Sequence, residues 1–476
     1  MTLDHTQIPD EILSTVFEIG ILTWDIRFLP PLCLVCKRWN VVVVDSPRLW
    51  GIITINRGRS LASLEGQITK AKASPLTVFA AENSSNSLNN RSRVLKLLVD
   101  LCGNWVSADV STDLLYRCRW SDMRGTLEKL TLSSARRGAL GSYTPDDFFS
   151  DIDRTLHRDP PRLRSFTAKR IPKEWIQPFL SPSITHFGLI LTDPSKPFNH
   201  WGPYGIYSVW QPDSTANSKL VITFSEMLDF LRRVPQVVHL TLQHTRHFET
   251  VEKSKVVSLN NLAVLDLEGV LHPAPFLCEI SAPSLKALSI RSTPMTDIIR
   301  ARSPRPELAL LSPFFSQWSH GIFLPAQLHT LELVDCLQVS DVAYLIRWLA
   351  RLPSLVRLTL RDDAIGLAAD LPPSEEESNI FRALASPEGA GPVVKGWLCP
   401  ALAQLRITTD LQVTDLIPIG RARGRVPSSH SQNSLRWLCL MEAFLCTSGS
   451  SEDIQVLERL VDVLECGCLG CGILAI

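Results

Sequence analysis

Neither sign of charge is in surplus: Lys+Arg and Asp+Glu each number 48 in 476 residues. A protein that holds nucleic acid by neutralising phosphates carries a basic excess, so this balance argues against nucleic acid as a partner. Long apolar runs are missing too. Each is broken by charge or proline before the ~18 residues that a bilayer span requires, and the tail LGCGILAI is far too short, so no membrane partner is expected. The opening MTLDHTQIPDE has neither the cationic start nor the apolar segment of a secretory signal. A soluble intracellular chain, cytoplasmic and/or nuclear, is the expectation. Catalytic grammar is equally sparse. No phosphate-cradling GxxxxGK[ST] and no GxSxG occurs, so neither an enzyme nor a cofactor is expected, although a Ser-His-Asp constellation dispersed over a fold would escape such a scan.

Paired metal-ligand spacing is also lacking, despite 12 cysteines. Most sit inside apolar patterns such as RWLCLMEA around Cys439, and read as small buried hydrophobes in a reducing compartment. Cys466, Cys468 and Cys471 crowd into ECGCLGC, but three thiols in one short tail do not make a four-ligand zinc site. Cys33 and Cys36 form a CxxC within an apolar helical stripe, which core packing explains. His244, His247 and Glu249 in QHTRHFET lack a third firm ligand and an HExxH helix, and read as a solvated loop. No metal site is expected.

What the chain does have begins at once. IPDEILSTVF, residues 8–17, places Pro9 in a first helical turn and Asp10 and Glu11 at the positive end of the helix dipole. Ile12, Leu13, Val16 and Phe17 then form an apolar stripe. A second stripe follows the Pro30-Pro31 start: Leu32, Val35, Cys36, Trp39 and Val43 on one helix that Pro47 stops. The longer connection ILTWDIRFLPP lies between the two, and Leu49-Trp50 leads into GIITI, a strand by composition. Some fifty residues make a meagre independent core, so such a piece gains stability by docking, either on the rest of the chain or on another protein.

Ile8-Pro9-Asp10-Glu11-Ile12-Leu13, Val16-Phe17, Val35-Cys36-Lys37-Arg38-Trp39 and Leu49-Trp50 together resemble an F-box over residues 6–52. The resemblance implies a helical module that binds the Skp-type linker subunit of an SCF ubiquitin ligase, which in turn joins a cullin. By position, Ile8, Pro9, Ile12, Leu13, Val16 and Phe17 would face the linker. Val35, Cys36 and Trp39 would be shared between the linker and the module's own core, and Leu49 and Trp50 would lock the third segment down. Such docking is helix-in-groove recognition by a few apolar anchors.

Residues 58–476 carry one recurring phrase: two leucines three apart, then another apolar residue two further on. It reads LEKLTL at 127, LAVLDL at 262, LKALSI at 285, LHTLEL at 328, LVRLTL at 355, LAQLRI at 402 and LRWLCL at 435, with looser copies at 163, 184 and 237. The terminal alternation describes a strand with one buried face. SPLTVFA at 74–80 and WVSADV at 105–110 read as degenerate first strands. Helical stripes lie between: Met227, Leu228, Leu231 and Val234; Val342, Leu345, Ile346, Leu349 and Leu352, with Ser340 as N-cap; and Ile454, Leu457, Val461 and Leu464. Strand, turn and helix in repetition predict an α/β leucine-rich-repeat solenoid, roughly a dozen strands in a parallel sheet on the inner face with helices outside.

The array is irregular. Its copies start 21 to 53 residues apart, and the excess is assigned to insertions near 192–219, 292–326, 363–400 and 420–434. The first holds Phe198, Trp201, Tyr204, Tyr207 and Trp210, rings that either anchor a target or fold back over the end of the sheet. Glu375-Glu376-Glu377 and Arg421, Arg423 and Arg425 read as solvated loop charges that can steer a partner. An F-box ahead of such repeats resembles the F-box/leucine-rich-repeat substrate receptors, which include divergent fungal families. The expected function is a non-catalytic adaptor that brings an unknown target protein to the ligase. The alternative is a non-ligase scaffold whose helices only cap the solenoid.

Overall fold

The structure is a computed structural model describing residues 8–24, 26–55, 60–80, 88–123, 125–133, 162–191, 222–243, 256–270, 273–292, 311–319, 327–362, 379–386, 397–408, 413–423, 435, 437–440, 451–461 and 463–466. Helices and parallel strands alternate through two compact units, Met1–Leu220 and Val221–Ile476.

The first unit opens with α1 (Asp10–Trp24), a 3₁₀ turn at Ile26–Phe28, α2 (Leu29–Val35), α3 (Lys37–Asp45) and α4 (Pro47–Trp50). ILTWDIRFLPP, expected as a connection, is largely helical. Its first four residues extend α1, and Pro30 and Pro31 stand in the first turn of α2, where a missing N–H costs nothing. The reversal between α1 and α2 depends on Gly20, because a Cβ there would collide with the ring of Phe28. Trp24 completes the corner, its ring centroid 4.9 Å from that of Phe28.

The single second helix expected from Leu32 to Val43 is instead two. Cys36 is extended (φ −159°, ψ 165°), and its Sγ accepts the Trp39 N–H at 3.5 Å as the N-cap of α3. A side-chain acceptor at this position competes with the helical bond, so the stripe breaks there although its apolar residues continue. Arg38 then clamps α3 to α1: Nε and Nη2 donate to Asp10 Oδ1 at 2.9 and 2.7 Å, and Nη2 also donates to the Ile8 carbonyl.

Parallel pairing joins β1 (Ile52–Thr54), β2 (Leu76–Ala80), β3 (Trp105–Ser111), β4 (Lys129–Ser133), β5 (Ser165–Lys169) and β6 (His186–Ile190), each to the next. The helices are not a separate body. Leu13, Phe17, Ile21, Leu29, Leu32, Val42, Val43, Leu49 and Ile52 share one core, with Phe79 of β2 against it. Gln67, buried on α5 (Leu61–Ala71), donates to the Trp50 and Ile52 carbonyls, both at 2.7 Å, bolting α4 to β1.

In the second unit, β7 (His239–Gln243) is followed by a small separate pair, β8 (Val257–Ser258) with β10 (Ile280–Ser281). The main sheet runs from β7 to β9 (Val264–Glu268), β11 (Ala287–Arg291), β12 (Thr330–Val334), β13 (Arg357–Arg361), β14 (Gln404–Thr408), β15 (Trp437–Leu440) and β16 (Val463–Cys466), all parallel. The repeated phrase explains this order. Leu265, Leu288, Leu331, Leu358, Leu405 and Leu438 are direct register partners, and Leu267, Ile290, Leu333, Leu360, Ile407 and Leu440 form a second such row. Leu262, Leu285, Leu328, Leu355, Leu402 and Leu435 ahead of the strands are also buried. Uneven repeat length therefore never slips the register, because a one-residue slip would turn every leucine to the wrong face.

Strand exits share a device. Gly269 and Asp335 take left-handed backbone (φ 61° and 51°) and donate to the last carbonyl of the next strand, Arg291 at 2.7 Å and Arg361 at 2.6 Å. In the first unit Arg170 (φ 56°) does the same to Ile190.

Several expected details move. The helix Ser312–Ser319 lies inside segment 292–326, Ile380–Ala385 inside 363–400, and Val413–Arg423 reaches into 420–434, so these stretches supply helices to the array. Phe314 and Phe315 pack on Trp348 with centroids 5.5 and 5.2 Å away. The N-cap of Val339–Leu349 is Gln338 rather than Ser340, in a reciprocal box with Asp341. That buried carboxylate accepts from Gln338 N at 3.0 Å and Ser312 N at 2.7 Å, tying two helix starts together. The stripe ending at Leu464 stops at Leu460, and Leu464 belongs to β16. Arg423, read as a solvated loop charge, is buried: Nε donates to Leu384 O at 2.7 Å and Nη1 to Cys399 O at 3.1 Å, and Nη2 donates to Leu398 O.

Candidate docking surfaces

α1 is apolar over more than half of its circumference, with Glu11, Ser14, Thr15 and Glu18 on the remaining side, and the fold buries only part of that apolar arc. Leu13, Phe17 and Ile21, four residues apart, go inward. Ile12, Val16 and Ile19, offset by about a quarter turn, stay about half-exposed, followed by Leu22 and by Trp24 at 65%. α2 ends on Leu34, 86% exposed, and Val35, and α3 adds Val41 and Val44. Of the eleven exposed large hydrophobics among the described residues, nine fall between Ile12 and Val44. Water around that much clustered apolar surface makes it a place where another surface is gained favourably.

The residues expected at this site divide between two jobs. Ile12, Val16 and Val35 are exposed, as is Pro9 just ahead of α1, and Ile8 and Cys36 are half-buried. Leu13 and Phe17, expected to face a partner, are 3% and 2% exposed and belong to the module's own core, as does Leu49. Trp39 is half-buried against Phe17, edge-on at 5.0 Å. Trp50 is half-buried, donates from Nε1 to Val43 O at 2.9 Å and carries Lys70 Nζ 4.0 Å above its ring. Ile19, Leu22, Trp24, Leu34, Val41 and Val44 were not named from sequence. Outward apolar positions look the same as inward ones in a helix with two stripes.

The second surface is the face of the second unit's sheet opposite the leucines. Its middle register row reads Thr241, Asp266, Ser289, Glu332, Thr359 and Arg406, and the flanking rows add Glu268, Arg291, Arg357 and Arg361. Arg291 bridges neighbouring strands, donating to Asp266 Oδ1 at 2.9 Å and to Ser289 Oγ at 3.0 Å, while Ser289 donates to Glu332 at 3.0 Å. Arg357 donates to Gln404 Oε1 at 2.6 Å. Acid gathers on β9 and arginine on β13 and β14. The middle row and Arg357 were legible as polar letters inside the phrases, whereas Glu268, Arg291 and Arg361 each follow a phrase by one residue, and the charge pattern needed the register.

Phe198, Trp201, Tyr204, Tyr207 and Trp210, the His244-His247-Glu249 group, Glu375 to Glu377, Arg425, Cys468 and Cys471 lie outside the described residues. Among the described residues, no group of three or more His, Cys, Asp or Glu is placed to hold a metal, and no helix is long and apolar enough to cross a membrane.

No protein-family model matches the chain, and no curated protein matches it either. Among solved structures it is similar to one described as "Crystal structure of TLR13-ssRNA13 complex", at 12% identity and a TM-score of 0.31, over 67% of this chain and 33% of that one. The chain thus spans about a third of that neighbour's length. Its own architecture, leucine-patterned parallel strands in register and alternating with helices, is an α/β leucine-rich-repeat-like fold.

Proposed function

We propose that the chain is a substrate-recruiting adaptor of an SCF-type ubiquitin ligase. Its N-terminal helices dock on a Skp-type linker subunit, which joins a cullin, and its strand array holds a target protein. The observation that carries this reading is the apolar exterior of α1–α3, which goes beyond what capping a sheet requires. The F-box resemblance of IPDEIL, VCKRW and LW supports it. No catalytic role falls to the chain: partner enzymes transfer ubiquitin, and the array raises the target's effective concentration beside them. Such partners place it in the cytoplasm or nucleus.

A second reading is favoured by the Gln67 clasp and the core shared by α1–α4 and β1, which together cap the first strand. On that reading the chain is a non-ligase scaffold. Titration of a purified Skp-type linker subunit into the full chain separates the two. We expect Ile12→Asp and Val16→Asp each to weaken binding by about tenfold or more, as loss of a central apolar anchor does, with the unfolding midpoint unchanged. Leu13→Asp, at a buried position, lowers that midpoint instead. A wild-type chain that does not bind the linker removes the adaptor reading and leaves the scaffold.

A further inference from the structure

Charges on the polar sheet face of the second unit are sorted by strand. β9, β11 and β12 carry three carboxylates, Asp266, Glu268 and Glu332, against one arginine, Arg291. β13 and β14 carry Arg357, Arg361 and Arg406 and contain no acid. Register sets Arg406 opposite Thr359, midway along the strand between the two arginines of β13. With strands ~4.8 Å apart and a rise of ~3.3 Å per residue, each diagonal step is about 8 Å, so the three guanidiniums form one patch.

Local bonds keep the two poles apart. Arg291 lies 2.9 Å from Asp266 and 3.8 Å from Glu332, so one guanidinium serves two carboxylates. Ser289 Oγ, at 3.0 Å, holds Glu332 toward β11, and Glu268 accepts the Gln243 amide at 3.0 Å. At the other pole, Arg357 is exposed and its Nε donates to the neutral Gln404 Oε1. Arg361 is 4.0 Å from the carboxylate of Asp335. Between the poles Val264, Ala287 and Thr330 are register partners with short side chains. A polypeptide that crosses the strands can approach the sheet along that row.

We propose that this face binds an extended, bipolar segment of a target protein, with a basic side chain over Asp266 and Glu268 and paired carboxylates over Arg357, Arg361 and Arg406. Three to four strand spacings, about 14–19 Å, separate β9 from the arginine patch. At ~3.3 Å per extended residue, the two charges of the segment stand about four to six residues apart. Charge complementarity selects this occupant. A nucleic-acid strand would be repelled by the acids of β9, and an apolar helix would leave both poles buried without counter-charge. Guanidiniums bind carboxylates through paired hydrogen bonds, which fixes the direction of the segment as well as its presence. The proposal rests on the reading that the strand array holds the target, and the linker subunit has no part in it.

The test selects random displayed dodecapeptides on the full wild-type chain and, in parallel, on full-length Arg357→Glu. Sequences held equally by both, such as any bound to the apolar helices, are set aside. We expect the sequences that wild type enriches by about tenfold or more over the variant to carry paired Asp or Glu, with Lys or Arg about four to six residues away. One such peptide, synthesised, should weaken when its basic residue becomes alanine, when salt is raised, and on Arg406→Gln. Discriminated sequences without that charge order overturn the proposal but leave target binding on this face. If no sequence discriminates the chains, the face does not hold the target, and the reading beneath the proposal falls with it. A single-stranded RNA dodecamer that binds more tightly than any selected peptide would assign the face to nucleic acid. A particle mass that halves in Arg357→Glu would assign it to a second copy of the chain. Either result overturns the proposal. Should Arg357→Glu not fold, Arg406→Gln takes its place in the parallel selection.

Discussion

Gly20 is a residue whose value lies in having no side chain. The Phe28 ring occupies the space of its Cβ, and Trp24 packs on that ring, so the corner between α1 and α2 is filled. Gly20→Ala raises helix propensity within α1, yet we expect it to destabilise the first unit by about 1–3 kcal/mol through overpacking. Urea unfolding monitored by tryptophan fluorescence reads the change, and a stabilised variant would mean the ring moves aside at no cost. Cys36 and Arg423 teach the same lesson at single positions. A cysteine acting as N-cap and an arginine spending its guanidinium on the carbonyls of Leu384, Leu398 and Cys399 are each invisible to apolar spacing, because their bonds go to distant or unpatterned backbone. Burial of that guanidinium pulls its pKa down from the ordinary value, and the carbonyls compensate for the lost water.

Among elements, the strands were the most legible part of the chain. The phrases at 262, 285, 328, 355 and 402 each became a strand with the apolar positions buried and the polar letters on the other face. Period-two patterning carries that information in five residues, whatever the length of the connections. Helix α1 was legible as a helix but not in its orientation. With Leu13, Phe17 and Ile21 on one side and Ile12, Val16 and Ile19 on another, periodicity offers two stripes and no way to choose which is core. Packing against Leu32, Val43 and Leu49 makes that choice. The ladder leads to a prediction of its own. Leu358, fully buried between Leu331 and Leu405, should cost about 2–5 kcal/mol when changed to alanine. Thr359→Ala, one residue on and facing away, should stay within about 0.5 kcal/mol. Equal losses from the two would contradict the assigned faces. Guanidinium unfolding measures both.

At the scale of the whole molecule, repeat irregularity and structural regularity coexist because they occupy different places. Connections of unequal length, some carrying helices such as Ser312–Ser319 and Ile380–Ala385, lie outside the registered strands. The strand face rich in Asp266, Arg291, Glu332 and Arg357 is polar and charged, whereas the exposed exterior of α1–α3 is rich in apolar side chains. We therefore expect the purified chain to self-associate through its N-terminal helices. Light scattering should give an apparent mass that rises with protein concentration and hardly changes with salt, and Val16→Asp should lower it. An association abolished by salt would place the contact on the charged sheet face instead.

That apolar exterior also has a consequence for supply. On the adaptor reading proposed above, copies made in excess of the linker subunit would present Trp24, Leu34 and Val35 to whatever chaperone or protease samples open hydrocarbon. Abundance of the chain in a cell would then follow the stoichiometry of its partner rather than its own rate of synthesis, and an orphaned copy would be short-lived.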